Sequence, residues 1–381
     1  MPDQQFVAVV TGASEGIGRA TALEFAAAGA AVVLVARRTQ PLEEVAEQCH
    51  ERGGMDLVVA TDMADYEAVQ DVAKQAVDSF GGIDAWVNNA AVSAFGGIAQ
   101  LPLMDVRRVL DVNLMGYTYG SRIALEAMRA QRCGVIVNVS SVVGVVAQPY
   151  THAYNMSKAA IRSLSTSLRQ ELWLEGQRNI HVCTILPASV DTPIFSHAAN
   201  YTGRAARPIP PVYPPERVAR AILGAVTRPR PEIVVGNFGR LLLGLHAIAP
   251  RMAERTMARQ VESSHFQSHV PVAAGSGNLC LSPQDQPSVR GGWREETTGG
   301  RSWAAWAALG ALLGTVVAVR WRRATRRNTF VHPGRGYGSP REGACPSWAP
   351  RMGRATNLPG YTPPAQVSKN CATRSSGLLR G

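Results

Sequence analysis

Lysine is scarce in this chain. Lys74, Lys158 and Lys369 are its only three among 381 residues, and the other basic residues are arginine. The six cysteines (49, 133, 183, 280, 345 and 371) are scattered, with no Cys-x-x-Cys pair. That argues against a zinc site and a disulfide framework, and suits a reducing compartment. His265 and His269 stand four apart but lack a third partner, so no metal is expected. No basic-then-apolar leader opens the sequence, which argues against secretion. Net charge is also missing from most of the chain. Residues 320–381 carry twelve basic residues and one acidic, which accounts for the whole net charge of +11. The basicity therefore belongs to the tail. With no regularly interleaved aromatics there, a nucleic-acid arm is not expected, and a solvated or membrane-facing tail is favoured.

Hydrophobic residues make up 46% of the chain, enough for a buried core. Apolar runs read as strands at Phe6–Val10, Ala31–Ala36, Leu57–Ala60, Ile83–Val87, Gly134–Val139, Ile180–Leu186 and Ile233–Val235. Helical stretches intervene at 19–28, 41–51, 65–80, 101–129, 154–175 and 216–226. Alternation of this kind predicts an α/β fold, a Rossmann-type doubly wound parallel sheet covered on both faces. Right-handed crossovers predict strand order 3-2-1-4-5-6-7, with a ligand at the carboxyl ends. The expected layout is one catalytic domain over 1–260 and a polar arm or linker over 261–300. A membrane-spanning or membrane-associated helix over 301–321 and a basic disordered tail over 322–381 complete it. Within the domain, 193–215 reads as a mobile flap, and 241–260 as a helical stretch interrupted at Pro250.

Two stretches carry chemistry. The first is Gly12-Ala13-Ser14-Glu15-Gly16-Ile17-Gly18, between a strand and a helix. Glycines let the backbone approach a pyrophosphate, and a helix N-terminus offers free N–H groups and positive dipole. The next strand ends in Arg37-Arg38, where an NAD site usually has an acidic residue. Two arginines there suit the 2′-phosphate of NADP, so NADP is preferred over NAD. The second stretch is Tyr154-x-x-x-Lys158. Residues four apart on a helix share a face. A free Tyr has pKa roughly 10. A nearby fixed positive charge is expected to lower it and make the phenol a usable acid–base group.

With these residues in place, the chain resembles the short-chain dehydrogenase/reductase family, in its Tyr-x-x-x-Lys type, over about residues 5–235. Thr11-Gly12-x-x-x-Gly16-Ile17-Gly18 looks like the family's cofactor loop, with Ser14 inside it. Asp62 looks like the carboxylate that meets the adenine amino group. Asn88-Asn89-Ala90-Ala91 is similar to Asn-Asn-Ala-Gly, with Ala91 for Gly. Pro187-Ala188-Ser189-Val190-Asp191-Thr192 resembles Pro-Gly-x-x-x-Thr, with Ala188 for Gly. There Val190 and Thr192 would hold the nicotinamide carboxamide. Glu15 stands where NADP users often have Ser or a basic residue. The resemblance implies a catalytic set of Asn113, Ser141, Tyr154 and Lys158. Ser141 would steady an oxyanion, Tyr154 would pass the proton, Lys158 would hold the ribose and Asn113 would support a proton-relay water. It also implies a homo-oligomer.

The expected function is NADP(H)-dependent interconversion of a carbonyl and a secondary alcohol. The competing reading is a dinucleotide-binding sensor or scaffold without turnover, which the filled catalytic positions argue against. Trp303–Val319 is an uncharged apolar run of 17 residues. At 1.5 Å per residue it spans about 25 Å, just short of the ~30 Å hydrocarbon core. It is expected to associate with a membrane and leave the catalytic domain in the cytoplasm, which would favour a hydrophobic substrate.

Overall fold

The computed structural model describes residues 5–282 and 286–294. Seven parallel strands form its centre: β1 (Val7–Thr11), β2 (Ala31–Ala36), β3 (Met55–Ala60), β4 (Ala85–Asn88), β5 (Gly134–Val139), β6 (Ile180–Pro187) and β7 (Glu232–Val235). Their order is β7-β6-β5-β4-β1-β2-β3, as the alternation of strands and helices predicts. The chain winds outward from β1 to β3, then returns to start β4 on the other side of β1. That reversal opens a crevice at the carboxyl ends of β1 and β4.

The central strands β1 and β2 are almost unbroken apolar runs because both of their faces are buried. In β1, Ala8 and Val10 face one layer while Val7 and Val9 face the other, as a period of two demands. The first layer contains α1 (Gly16–Ala27), α2 (Thr39–Glu51) and α7 (Pro215–Thr227), packed through Phe25, Leu42, Val45, Val218 and Ile222. The second contains α3 (Tyr66–Phe80), α5 (Gly116–Gln131) and α6 (His152–Leu174), packed through Val69, Val72, Ile123, Met128 and Leu168. β1 lies in register with both neighbours, Val9 pairing with Val33 and with Trp86.

Three regions differ in detail from the sequence reading. The stretch over 101–129 divides into α4 (Leu103–Leu110), a π turn (Asp111–Met115) and α5. The stretch over 241–260 begins earlier and is cut at Pro250, giving α8 (Asn237–Ile248) and α9 (Pro250–Gln260). A proline disfavours helical backbone in the residue before it, and Ala249 is non-helical. The segment read as a flap is built into the fold. Its short strand Arg204–Ala206 pairs antiparallel with β8 (Phe266–Pro271), and Tyr201 donates to Asp105 at 2.6 Å. The run Trp303–Val319 and the basic tail lie outside the described residues. Among the described residues no helix is long and apolar enough to cross a membrane.

Candidate active site

The site grows from the end of β1. Thr11 Oγ1 donates to the Val87 carbonyl and accepts from the N–H groups of Asn89 and Ala90, tying β1 and β4 together. Gly12 follows with φ +68°, and a Cβ there would lie 2.8 Å from Ala90 Cα. A side chain at Gly18 would run into the Gly12 carbonyl. Only glycine keeps this loop tight. Asn89 Nδ2 donates to the Thr11 carbonyl at 2.9 Å, bracing the loop from β4. Gly12, Ser14, Gly16 and Ile17 line one cleft, and α1 starts there with no side chain capping it. The N-terminus of α1 and its positive dipole meet the cleft at this point, as a dinucleotide pyrophosphate requires, with the Gly16 N–H donating to the Ser288 carbonyl at 3.0 Å.

Arg37, Arg38 and Asp62 line the same cleft from the ends of β2 and β3. Asp62 is engaged through both oxygens and Glu15 through one, its Oε2 being buried without a partner among the described residues. Asp62 Oδ1 accepts from the Ala64 N–H, and Oδ2 pairs closely with Arg108. Glu15 lies 3.3 Å from His197 Nδ1, which draws its carboxylate toward a partner of its own. Arg37 donates to the carbonyls of Asn278 and Leu279. The methyl of Ala188, extra to the family pattern, sits beside Gly236 and Gly239, where added Cβ atoms would lie 3.0 and 3.4 Å from it. Glycine at those two positions makes the room.

Ser141, Tyr154 and Lys158 line this same cavity. Ser141 is held at the start of a short 3-10 turn: its Oγ accepts from the Val143 N–H and donates to the Pro187 carbonyl at 3.4 Å. Tyr154 and Lys158 lie one turn apart in α6, as their spacing predicts. The ammonium, however, does not meet the phenol oxygen directly. Lys158 Nζ donates to the Val139 carbonyl at 2.8 Å and to Tyr117 Oη at 3.3 Å, and lies 5.4 Å from the Tyr154 ring centre. The expected lowering of the tyrosine pKa is overturned in the cofactor-free protein. Enclosure pushes the Tyr154 phenol well above its ordinary range. Burial drives Lys158 down to about 7, which weakens the positive charge meant to act on the phenol.

Asn113 is fully buried and sits in the π turn, a local widening often found at functional sites. Its side chain holds the loop after β4, accepting from the Val92 N–H and donating to the Val92 carbonyl. It also donates to Ser157 Oγ at 3.2 Å, and Ser157 in turn donates to the Tyr154 carbonyl. Asn113 thus reaches the helix of Tyr154 and Lys158 through Ser157. Val190 and Thr192 close the far side of the cavity. Beyond Ser141, Tyr154 and Lys158, the pocket is walled by Phe95, Val142, Phe195, Ile209, Leu242 and Met257. His265 also lines it; its Nδ1 faces the Arg207 carbonyl at 2.6 Å, and burial pushes its pKa down to about 4. A neutral ring with Nδ1 protonated fits both observations.

Several contributors escape a reading of the sequence. Tyr117 shares the lysine's ammonium, and its place four residues after Asn113 was the available signal. Ser140 Oγ donates to the Lys158 carbonyl at 2.7 Å, fixing the helix that carries the lysine. Asn88 and Asn138 join across β4 and β5 at 2.8 Å under the same end of the sheet. Asn278, Leu279, Ser288 and Trp293 come from a segment read as a polar arm.

The comparisons agree with this geometry. The family profile described as short chain dehydrogenase matches residues 6–201. YxnA of Bacillus subtilis (strain 168), an uncharacterized oxidoreductase, is 36% identical over 255 residues, covering 66% of this chain and 71% of that protein. Dehydrogenase/reductase SDR family member 7B of Bos taurus is 30% identical over 274 residues, covering 69% and 83% respectively. The X-ray structure of an alcohol dehydrogenase from the archaeon Thermococcus sibiricus, complexed with 5-hydroxy-NADP, is similar with a TM-score of 0.53 at 26% identity, over 60% of this chain and 95% of that one. By its glycine loop, its Ser-Tyr-Lys cavity and these likenesses, the chain belongs to the short chain dehydrogenase family of oxidoreductases.

Proposed function

We propose that this protein is an NADP(H)-dependent oxidoreductase that interconverts a carbonyl and a secondary alcohol on a hydrophobic small molecule. The observation that carries the reading is one cavity lined by the glycine loop, by Arg37 and Arg38, by Ser141, Tyr154 and Lys158, and by an apolar wall. The cofactor, when bound, supplies the hydride. Ser141 Oγ is placed to donate to a developing oxyanion. The protonated Tyr154 gives its proton to that oxygen in reduction and regains one for the next turnover. Lys158 and Asn113 hold the tyrosine's helix and its proton route. Phe95, Phe195, Ile209 and Met257 exclude water and favour an apolar substrate body.

NADP is the preferred cofactor in this reading, because two guanidinium groups border the cleft where the ribose edge would lie and Glu15 is turned to His197. The 5-hydroxy-NADP bound to the Thermococcus sibiricus enzyme supports the same choice. The test is a screen of aromatic and aliphatic ketones with both reduced cofactors, following absorbance at 340 nm. Ketone reduction with at least tenfold higher kcat/KM for NADPH is expected. Absence of turnover on every ketone and alcohol offered would return the protein to the sensor reading. Arg37→Asp should lower the NADPH/NADH ratio of kcat/KM by tenfold or more, a loss of about 1.4 kcal/mol or greater in charge-assisted binding. An unchanged ratio would assign the 2′-phosphate to other groups.

We also propose a homo-oligomer. Leu103 and Met104 on α4, Met156 on α6, and Trp173 and Leu174 at its end are large apolar groups in solvent. Large apolar groups left in solvent on these two helices suit association. Light scattering on the full chain should give at least twice the monomer mass, and Leu103→Ser with Met104→Ser should shift it down. A wild-type monomer would refute this.

A further inference from the structure

Asp62 is expected to receive the adenine amino group, and each of its oxygens already accepts one hydrogen bond, from the Ala64 N–H and from Arg108. Another acceptor lies beside it. Asn278 is 7% exposed and its side chain lines the cleft, while its Oδ1 has no hydrogen-bond partner among the described residues. A buried amide oxygen left without a donor is costly.

Asn278 is held in place by its backbone. Its N–H donates to the His197 carbonyl at 2.8 Å, and its carbonyl accepts from Arg37 Nη2 at 2.8 Å. The next carbonyl, of Leu279, accepts from both Arg37 and Arg108, and Leu279 is fully buried in an apolar cluster that includes Val109 and Val112. Gly277 makes the approach possible, since any Cβ there would strike the backbone of 197–199. Further along, the Ser288 carbonyl accepts from the Gly16 N–H at 3.0 Å, and the Pro287 carbonyl accepts from Arg19. Asp191 Oδ1 then accepts from the N–H groups of Gly291 and Trp293, and the Trp293 indole donates to the Thr192 carbonyl. This segment therefore touches the cleft at the Arg37 end and again at the glycine loop and Thr192. All of it lies beyond residues 6–201, where the family profile ends.

We propose that residues 277–282 and 286–294 form the outer wall of the dinucleotide pocket, and that Asn278 recognises the adenine edge, its Oδ1 accepting from the adenine amino group. An amide side chain can pair its carbonyl and amino groups with that amino group and an adjacent ring nitrogen. The inference rests on the cofactor reading above. It gives the adenosine end a contact supplied by a segment outside the minimal fold. The contacts of Trp293 imply that this wall must move for the dinucleotide to leave.

The test uses the full chain and two probes, NADPH and its hypoxanthine counterpart, which has an oxo group in place of the 6-amino group. Dissociation constants are read by cofactor fluorescence, without turnover. Wild type should bind NADPH at least tenfold more tightly than the hypoxanthine dinucleotide. Asn278→Leu should bind both about equally and weakly, and Asn278→Asp, which keeps the acceptor, should retain the discrimination. Asn278→Ser, with a shorter side chain, should behave like the Leu variant and serves if that variant does not fold. Trp293→Ala should raise the NADPH off-rate about tenfold. Equal binding of the two probes by wild type would overturn the assignment of Asn278, as would discrimination that survives Asn278→Leu. An unchanged off-rate in Trp293→Ala would overturn the wall. Failure of the wild type to bind NADPH or NADH at all is a different outcome, and removes the cofactor reading itself.

Discussion

Tyr154→Phe is expected to lower kcat/KM for ketone reduction by 10²- to 10⁴-fold, the range a positioned general acid supplies, while changing the NADPH dissociation constant by no more than about threefold. The phenol oxygen alone is removed. The ring stays in α6, one turn from Lys158, and the glycine loop, Arg37 and Thr192 are untouched. The direction of the tyrosine's pKa sharpens the expectation. Enclosure holds the phenol protonated through neutral pH, so wild-type reduction should not fade between pH 6 and pH 8 for want of the acid. Single-turnover decay of NADPH absorbance separates the chemical step from binding. A variant that keeps more than a few per cent of the wild-type rate would remove Tyr154 from the chemistry.

Lys158→Met should have two effects of opposite sign. Turnover should fall by at least 10²-fold, because the ammonium that reaches the tyrosine's side of the cleft is lost. Stability of the cofactor-free protein should rise at pH 6. Lys158 is 1% exposed, and its pKa in the folded protein is about 7, against roughly 10.4 when unfolded. Below pH 7 both states carry the charge, and the folded state bears the full cost of burying it. Between about pH 7 and pH 10.4 the unfolded chain binds more protons than the folded one, so stability climbs as pH rises. Above that window the penalty is gone. Methionine of similar length carries no such penalty, and at pH 6 the gain should be a few kcal/mol. Urea melts at pH 6 and pH 9 decide it: the advantage of the variant should shrink at the higher pH. A variant less stable than wild type at both would mean that the bonds to Val139 and Tyr117 outweigh the burial of charge.

Much of the site was legible because its residues are neighbours in sequence. Gly12 to Gly18 form one turn between β1 and α1, so spacing alone indicates the phosphate cradle. Tyr154 and Lys158 share a helix face because four residues make about one turn. Arg37 and Arg38 sit at the end of a strand whose apolar run announces itself. The strand order also followed, because alternating strands and helices joined by right-handed crossovers admit few arrangements.

What sequence could not show is what depends on burial and on distant segments meeting. The sign of the tyrosine shift is the clearest case. Spacing puts a cation near the phenol, but only the folded cavity sets how much water each keeps, and dehydration there outweighs the attraction. Lys158 turns to Tyr117, 41 residues away in sequence, through the packing of α5 against β5. Asn113 reaches Ser157 across 44 residues. Arg37 meets Asn278 across 241, in a stretch whose glycines and prolines read as a linker because they lack periodicity. By itself the sequence determined the sheet, the glycine turn and the shared helix face of Tyr154 and Lys158, since each is encoded by local pattern. The tertiary structure decided which groups are charged, which acceptors remain for the cofactor and what closes over it, because solvent exclusion and long-range contact exist only once the chain has folded.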